Sequence, residues 1–204
     1  MPPARSPKQL TIIDPEILLG AYASGIFPMS PSGSEEIDWY SPDPRAIIPL
    51  DTFKISRSLS QTLKKRKFKV QVDTAFEEVM RQCGGREETW ISETIVQSYL
   101  HLHKLGFAHS VESWHENKLV GGLYGVAFGA AFFGESMFST MRDASKVALV
   151  RLVERMKEQG YELLDTQFTT PHLLQFGTIE IPREEYLLLL KKAVRKRREF
   201  FLKP

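Results

Sequence analysis

One carboxylate lies within an apolar, glycine-spaced stretch in the middle of the chain. Residues 118–141 read KLVGGLYGVAFGAAFFGESMFSTM, and Glu135 is the only acidic residue among them. A carboxylate beside packed aromatic side chains is costly unless it is hydrogen-bonded or has a chemical role. Glu135 is therefore a candidate catalytic residue, although a twisted core sheet with a satisfied acid explains the same pattern equally well.

A second acidic residue interrupts another apolar segment. Residues 161–168 read YELLDTQF, and the two-residue period of a strand places Asp165 and Gln167 on one face. We expect the amide of Gln167 to hold the carboxylate of Asp165, which leaves one carboxylate oxygen free to accept a proton. The alternative is a buried aspartate that backbone amides satisfy.

The elements that must position these residues follow from periodicity. Residues 119–126 and 131–138 are rich in β-branched and aromatic residues, which predicts consecutive antiparallel strands. Strict alternation then puts Glu135 on the same face as Phe133 and Met137. An apolar stripe predicts a helix over residues 144–160, before the strand that carries Asp165.

The order of elements predicts an α+β fold. Asp14 and Pro15 favour a helix start, whereas residues 26–51 contain five prolines and are too proline-rich for regular structure. We expect a small N-terminal subdomain over residues 1–50. Residues 51–204 are expected to form a GNAT-like (acetyltransferase-like) catalytic domain, a mixed sheet flanked by helices.

Composition excludes several classes of protein. The 204 residues are 42% hydrophobic with a formal charge of +2, and no apolar run reaches the ~18 residues that a membrane helix requires. The start of the chain lacks the apolar core of a secretion signal, and Cys83 is the only cysteine, so we expect a cytoplasmic protein. The histidines are scattered and CxxC is absent, so we expect neither a metal nor a cofactor. Acetyl-CoA is disfavoured because the turn STMRDASK lacks the glycines that cradle a pyrophosphate.

A series of ordered motifs resembles a known family over about residues 12–190: AYASGIFPM, WYSPDPRAIIPL, TWIS, LHKLGFAHSVESW, LVGGLYGV, FFGESMFS, DASKVAL, LLDTQF and GTIEIPR. Together they resemble the leucyl/phenylalanyl-tRNA–protein transferases. The resemblance implies transfer of Leu or Phe from aminoacyl-tRNA to the α-amine of proteins that begin with Arg or Lys, in the bacterial N-degron pathway.

The resemblance also implies roles for individual residues. Asp165 and Gln167 would act in catalysis, with Glu135 at the same site. Tyr22 and Met29 would lie near the 3′-terminal adenosine. The remaining positions would line an apolar pocket for the transferred amino acid: Trp90, Tyr99, Leu123, Phe132, Gly134, Leu152 and Leu164.

This sequence departs from the family pattern at two of these positions. Met29 replaces a frequent Trp and Leu123 replaces a frequent Met, which leaves the preference among Leu, Phe and Met open. Four basic residues would bind acceptor-stem phosphates, namely Arg57, Lys64, Lys65 and Arg66, although a solvated surface explains any one of them. The competing hypotheses are a GNAT-type acetyltransferase and a non-enzymatic module that binds tRNA or N-degrons.

Overall fold

The computed structural model describes residues 12–200, which contain seven helices and nine strands. In chain order these are α1 (Pro15–Ala23), β1 (Phe27–Met29), β2 (Asp38–Tyr40), β3 (Arg45–Ile47), α2 (Arg57–Lys64), β4 (Lys69–Val72), α3 (Phe76–Gly84), α4 (Glu93–Lys104), β5 (Ala108–His115), β6 (Lys118–Phe128), β7 (Ala131–Ser139), α5 (Ala144–Glu158), β8 (Leu163–Gln167), α6 (Pro171–Leu174), β9 (Ile179–Ile181) and α7 (Arg183–Val194).

A mixed seven-stranded sheet organises these elements, in the order β4-β5-β6-β7-β8-β3-β9. Only β7 and β8 pair in parallel, whereas every other neighbouring pair within the described chain is antiparallel. Helices α1, α3, α4 and α7 contribute to the core on one face, and α2 and α5 to the core on the other. The expected α+β class, with a large mixed sheet flanked by helices, is confirmed.

The proline-rich segment is more regular than its composition suggested. Strands β1 and β2 form a separate two-stranded sheet, and β3 lies inside the large sheet between β8 and β9. The prediction of irregular structure was wrong. Each of these strands has only three residues, and Pro28 is tolerated because β1 belongs to the two-stranded sheet and not to the interior of the large sheet. The division at residue 50 stays a prediction, and residues 1–11 of that subdomain lie outside the described residues.

Local capping fixes the two helices that later contribute tyrosines to the site. The side chain of Asp14 accepts a 2.8 Å hydrogen bond from the amide of Glu16 at the start of α1, as predicted. Ser92 caps α4 in the same way through the amide of Ile95. The two helices lie on the same face of the sheet and bring Tyr22 and Tyr99 together.

A β-bulge interrupts the pairing of β6 with β7. Gly125 lies opposite Gly134 and Tyr124 lies opposite Ser136, so Glu135 is the extra residue. A Cβ atom at position 125 would stand 2.2 Å from the carbonyl oxygen of Phe133, and the tight backbone opposite the bulge therefore requires glycine.

The bulge changes which side chains share a face. Phe133 packs in the same core cluster as Phe138, whereas Phe132 packs in the opposite cluster, which Met137 also contacts. The expectation that Phe133 and Met137 lie on one face was therefore wrong. An inserted residue shifts the alternation of side chains between the two faces of the sheet. Sequence periodicity assumes an unbroken alternation and therefore cannot detect the insertion.

Candidate active site

A cavity opens where β7 and β8 separate. Their parallel pairing covers only three positions and ends at Phe133 opposite Asp165. Residues of β7 from Gly134 to Ser139, beyond this point, line a cavity of about 700 Å³ together with Leu164, Thr166 and Gln167 of β8. The walls are thus built from the ends of two strands that diverge.

Six of the nine residues predicted for substrate binding line this cavity: Met29, Trp90, Leu123, Gly134, Leu152 and Leu164. The other three are fully buried behind its wall. Phe132 packs in the core beneath α5, and its ring stacks on Phe200 with centroids 5.5 Å apart. Tyr22 and Tyr99 lie behind Glu135 instead of facing the cavity.

Glu135 is the acidic group of the cavity wall. Its side chain is 8% exposed, and its Oε1 accepts hydrogen bonds from the hydroxyl of Tyr22 at 2.7 Å and from Nε2 of Gln167 at 2.8 Å. The hydroxyl of Tyr99 hydrogen-bonds that of Tyr22. Oε2 is buried and has no hydrogen-bond partner within residues 12–200. One carboxylate oxygen is therefore held by two donors, and the other is buried without a hydrogen-bond partner among the described residues.

Burial raises the pKa of Glu135 to about 8, although the hydrogen bonds from Tyr22 and Gln167 favour its ionised form. The same burial, together with the charge of Glu135, raises the pKa values of the Tyr22 and Tyr99 hydroxyls well above their ordinary range. Both tyrosines remain neutral donors, and Glu135 is the group here that titrates near neutral pH.

Gln167 does not hold Asp165 in the predicted way. Its side-chain amide points across the gap to Glu135, and only its backbone amide contacts Asp165, at 2.8 Å from Oδ1. The backbone of Gln167 has φ of 63°, a left-handed conformation that breaks the strand alternation assumed from sequence. The predicted side-by-side pairing of the two side chains was wrong for this reason.

Asp165 has no free carboxylate oxygen. Oδ1 accepts from Nε of Arg45 at 3.0 Å as well as from the Gln167 amide, and Oδ2 accepts from Nη2 of Arg45 at 2.6 Å and from the hydroxyl of Tyr186 at 2.7 Å. Asp165 is fully buried and is absent from the cavity lining. Asp165 therefore lacks the open carboxylate oxygen that the sequence predicted.

Sequence reasoning missed Arg45 and Tyr186. Arg45 is 1% exposed, and a cation so deeply buried requires an anionic partner. The available signal was a single arginine followed by the apolar run AIIPL, within residues 45–50. Its partner is 120 residues away in sequence, a separation at which local patterns carry no information about pairing.

The predicted phosphate-binding residues lie outside the cavity. Arg57 and Lys64 are on α2, and Lys65 and Arg66 follow it, all four with exposed side chains. Arg66 also contributes to a second, smaller cavity beside Lys67 and Lys69. The four residues form an exposed basic surface next to α5, against which α2 packs.

The described residues also bear on metal binding, membrane spanning and cysteine reactivity. Residues 12–200 contain no cluster of three or more potential metal ligands and no helix long and apolar enough to span a membrane. Burial raises the pKa of the Cys83 thiol to about 12, which makes it a poor nucleophile.

Comparisons with known proteins identify the class and then the family. Residues 47–191 match the family described as leucyl/phenylalanyl-tRNA protein transferase, and residues 12–43 match the N-terminal domain of the same transferase. The chain is therefore a transferase. It belongs to the leucyl/phenylalanyl-tRNA–protein transferase family.

Individual relatives agree over nearly the whole chain. The leucyl/phenylalanyl-tRNA–protein transferase of Herpetosiphon aurantiacus is 55% identical over 183 residues, which are 89% of this chain and 95% of the relative. That of Gloeobacter violaceus is 50% identical over 185 residues, or 91% and 96% of the two chains.

Among solved structures, L-PGS from Bacillus licheniformis shows a distant likeness, with a TM-score of 0.42 and 18% identity over 78% of this chain and 55% of that one.

Proposed function

We propose that this chain transfers Leu or Phe from aminoacyl-tRNA to the N-terminal α-amine of proteins that begin with Arg or Lys. Family membership supports the donor, and the observation that supports the chemistry is the carboxylate of Glu135 in the cavity wall, whose Oε2 has no hydrogen-bond partner among the described residues. The acceptor rule and the place in N-degron degradation follow from the family resemblance.

The reaction needs little beyond positioning and proton transfer. An aminoacyl ester is already activated, so an amine can attack it without ATP or a metal. As the new C–N bond forms, the attacking amine must lose a proton, and we assign its acceptance to the carboxylate of Glu135. As the C–O bond breaks, Glu135 returns that proton to the leaving ribose oxygen, and the carboxylate is restored.

The pKa of Glu135 suits this double role. A group with a pKa of about 8 can accept a proton from an amine and donate it again at neutral pH. An α-amine has an ordinary pKa of about 7.7–8.0, so the proton moves between groups of similar affinity. Tyr22 and Gln167 hold Oε1 and thereby fix the carboxylate of Glu135 in the cavity wall.

The apolar wall is suited to the transferred side chain. Leu123, Leu152 and Leu164 line the cavity and belong to the core cluster beneath α5, which gives a rigid apolar surface. Trp90 lines the same cavity, and Met29 lines it where, by the family resemblance, the 3′-terminal adenosine of the donor would lie. Charged side chains would be rejected because an apolar wall cannot replace their hydration.

The finer fold assignment belongs to the same proposal. A mixed sheet whose parallel neighbours β7 and β8 separate around a cavity supports a GNAT-like architecture. A cytoplasmic location follows from the proposed donor, because aminoacyl-tRNA is used there.

A direct assay tests the proposed function. The protein is incubated with labelled Phe-tRNA, Leu-tRNA or acetyl-CoA and a peptide that begins with Arg, with an N-acetylated copy of the peptide as control. We expect transfer from both tRNAs to the free amine only. Acetylation of the peptide would identify an acetyltransferase, and tRNA binding without transfer would identify a non-enzymatic module.

A further inference from the structure

Arg45 occupies an unusual position directly behind the active site. Its guanidinium is fully buried and makes a bidentate ion pair with Asp165, at 3.0 Å and 2.6 Å. Its third nitrogen donates to the carbonyl oxygen of Gly25 at 3.1 Å. The rings of Phe27 and Tyr186 lie 4.8 Å and 4.5 Å from its central carbon, so the group is held on every side by polar or aromatic contacts.

Through Asp165, this ion pair contacts the backbone of Gln167, the last residue of β8. Oδ1 of Asp165 receives both Nε of Arg45 and the backbone amide of Gln167. This second bond stabilises Gln167 at φ of 63°, a conformation that a glutamine rarely adopts. The left-handed turn in turn directs the side-chain amide of Gln167 onto Oε1 of Glu135.

We propose that Arg45 is a positioning residue for aminoacyl transfer: it holds Asp165, Asp165 holds the backbone of Gln167, and Gln167 fixes the carboxylate of Glu135 in the cavity wall. The inference rests on the proposed function, since it assigns an origin to the orientation of Glu135. It gives Asp165 a positioning role as well, because both of its carboxylate oxygens accept hydrogen bonds from protein donors.

The chain of contacts predicts how a change at Arg45 reaches Glu135. Loss of the bidentate geometry releases the Gln167 turn, and Glu135 then loses a hydrogen bond that favours its ionised form. The positive charge of Arg45 also favours the ionised form of Glu135 and so lowers its pKa. The pKa of Glu135 should therefore move above its present value of about 8 when Arg45 is altered.

The test is Arg45→Lys, which keeps the charge and removes the planar fork. We expect a single-turnover transfer rate at least about tenfold lower, a Kd for Leu-tRNA within about twofold of the wild-type value, and a pH–rate midpoint at higher pH. The matched control is Arg151→Lys on the exposed face of α5, whose partners are Glu154 and Glu158. The control should match the wild type in all three measurements.

Two results would overturn the inference. One is a wild-type rate and pH profile in Arg45→Lys. The other is a rate that falls only in proportion to the folded fraction with an unchanged pH profile, which would make the pair purely structural. If the wild-type protein itself fails to transfer Leu or Phe, the proposed function fails instead, so the two failures are distinguishable.

A second variant tests the positioning role of the Arg45–Asp165 pair if Arg45→Lys does not fold. Tyr186→Phe removes one donor to Asp165 and leaves the ion pair and the ring packing in place. We expect a folded protein with a rate about three- to tenfold lower, the reduction that corresponds to the net contribution of one typical hydrogen bond. Its control is Tyr161→Phe, a change at another buried tyrosine whose hydroxyl has no partner among the described residues. Equal rates in the two variants would overturn the inference.

Discussion

Gln167 and Glu135 join two strands at a level where the strands no longer pair. Nε2 of Gln167 donates to Oε1 of Glu135 at 2.8 Å, whereas the backbone pairing of β7 and β8 ends at Phe133 and Asp165. A side-chain hydrogen bond thus replaces the sheet at the mouth of the gap. It leaves the cavity open and still fixes one oxygen of the acidic residue in its wall.

The first prediction concerns the rate of Glu135→Gln. The single-turnover rate should fall by about 10²–10⁴-fold, the usual contribution of a general base. In the wild type the rate should rise with pH through about 8, because Glu135 must be ionised to accept a proton. The α-amine titrates in a similar range, so the informative quantity is the ratio of wild-type to variant rates across pH. A ratio that does not change with pH would exclude Glu135 as the base.

The second prediction concerns stability. The pKa of Glu135 is about 8 when folded and 4.5 in its ordinary state, so between these values the folded protein binds a proton that the unfolded chain has lost. The contribution of Glu135 is therefore present below its unfolded pKa and is lost as the pH rises through its folded pKa, by at most about 1.4 kcal/mol per pH unit.

In Glu135→Gln, this loss of stability with rising pH should be absent. Its free energy of unfolding, measured by urea denaturation, should increase relative to that of the wild type as the pH rises, and the difference should level off above about 8. Glu154→Gln, at an exposed position of α5, serves as control. Parallel stability curves for wild type and Glu135→Gln would show that the buried carboxyl does not titrate in this range.

The third prediction concerns donor choice. Leu123 is 3% exposed and lines the cavity, so Leu123→Phe should fill space that the larger donor side chain needs. The kcat/KM for Phe-tRNA should fall more than that for Leu-tRNA, and the difference should correspond to about 1–3 kcal/mol. Leu123→Ala should ease entry of Phe at some cost in packing. Equal effects on both donors would remove Leu123 from the amino-acid pocket.

The fourth prediction concerns the basic surface after α2. Replacing Lys64, Lys65 and Arg66 with alanine should weaken binding of different tRNAs about equally, because phosphate contacts do not read bases. The slope of log K against log salt should flatten by about 0.7–0.9 for each phosphate that the variant no longer neutralises. A triple alanine variant of Lys191, Lys192 and Arg195, all exposed at the end of α7, removes the same charge elsewhere. An equal slope change in both variants would indicate a general effect of net charge.

Much of the fold could be predicted because its signals are local. The Asp14 cap, the long strands β6 and β7 and the apolar stripe of α5 depend on residues a few positions apart. Glu135 and Asp165 were recognised because acids are rare in apolar strands. Their hydrogen-bond partners were not, since Tyr22 lies 113 residues from Glu135 and Arg45 lies 120 residues from Asp165. The bulge and the left-handed Gln167 each break the alternation on which the assignment of faces relied.

The bulge at Glu135 also divides β7 into two parts with different evolutionary freedom. Phe132 and Phe133, before the bulge, are fully buried in the two cores and set the stability of the sheet. Met137 and Ser139, after it, line the cavity, where Met137 is half-buried and Ser139 is exposed. Substitutions at Met137 and Ser139 can therefore reshape this wall of the cavity without repacking Phe132 and Phe133. A lineage could change which amino acid it transfers while inheriting the same scaffold.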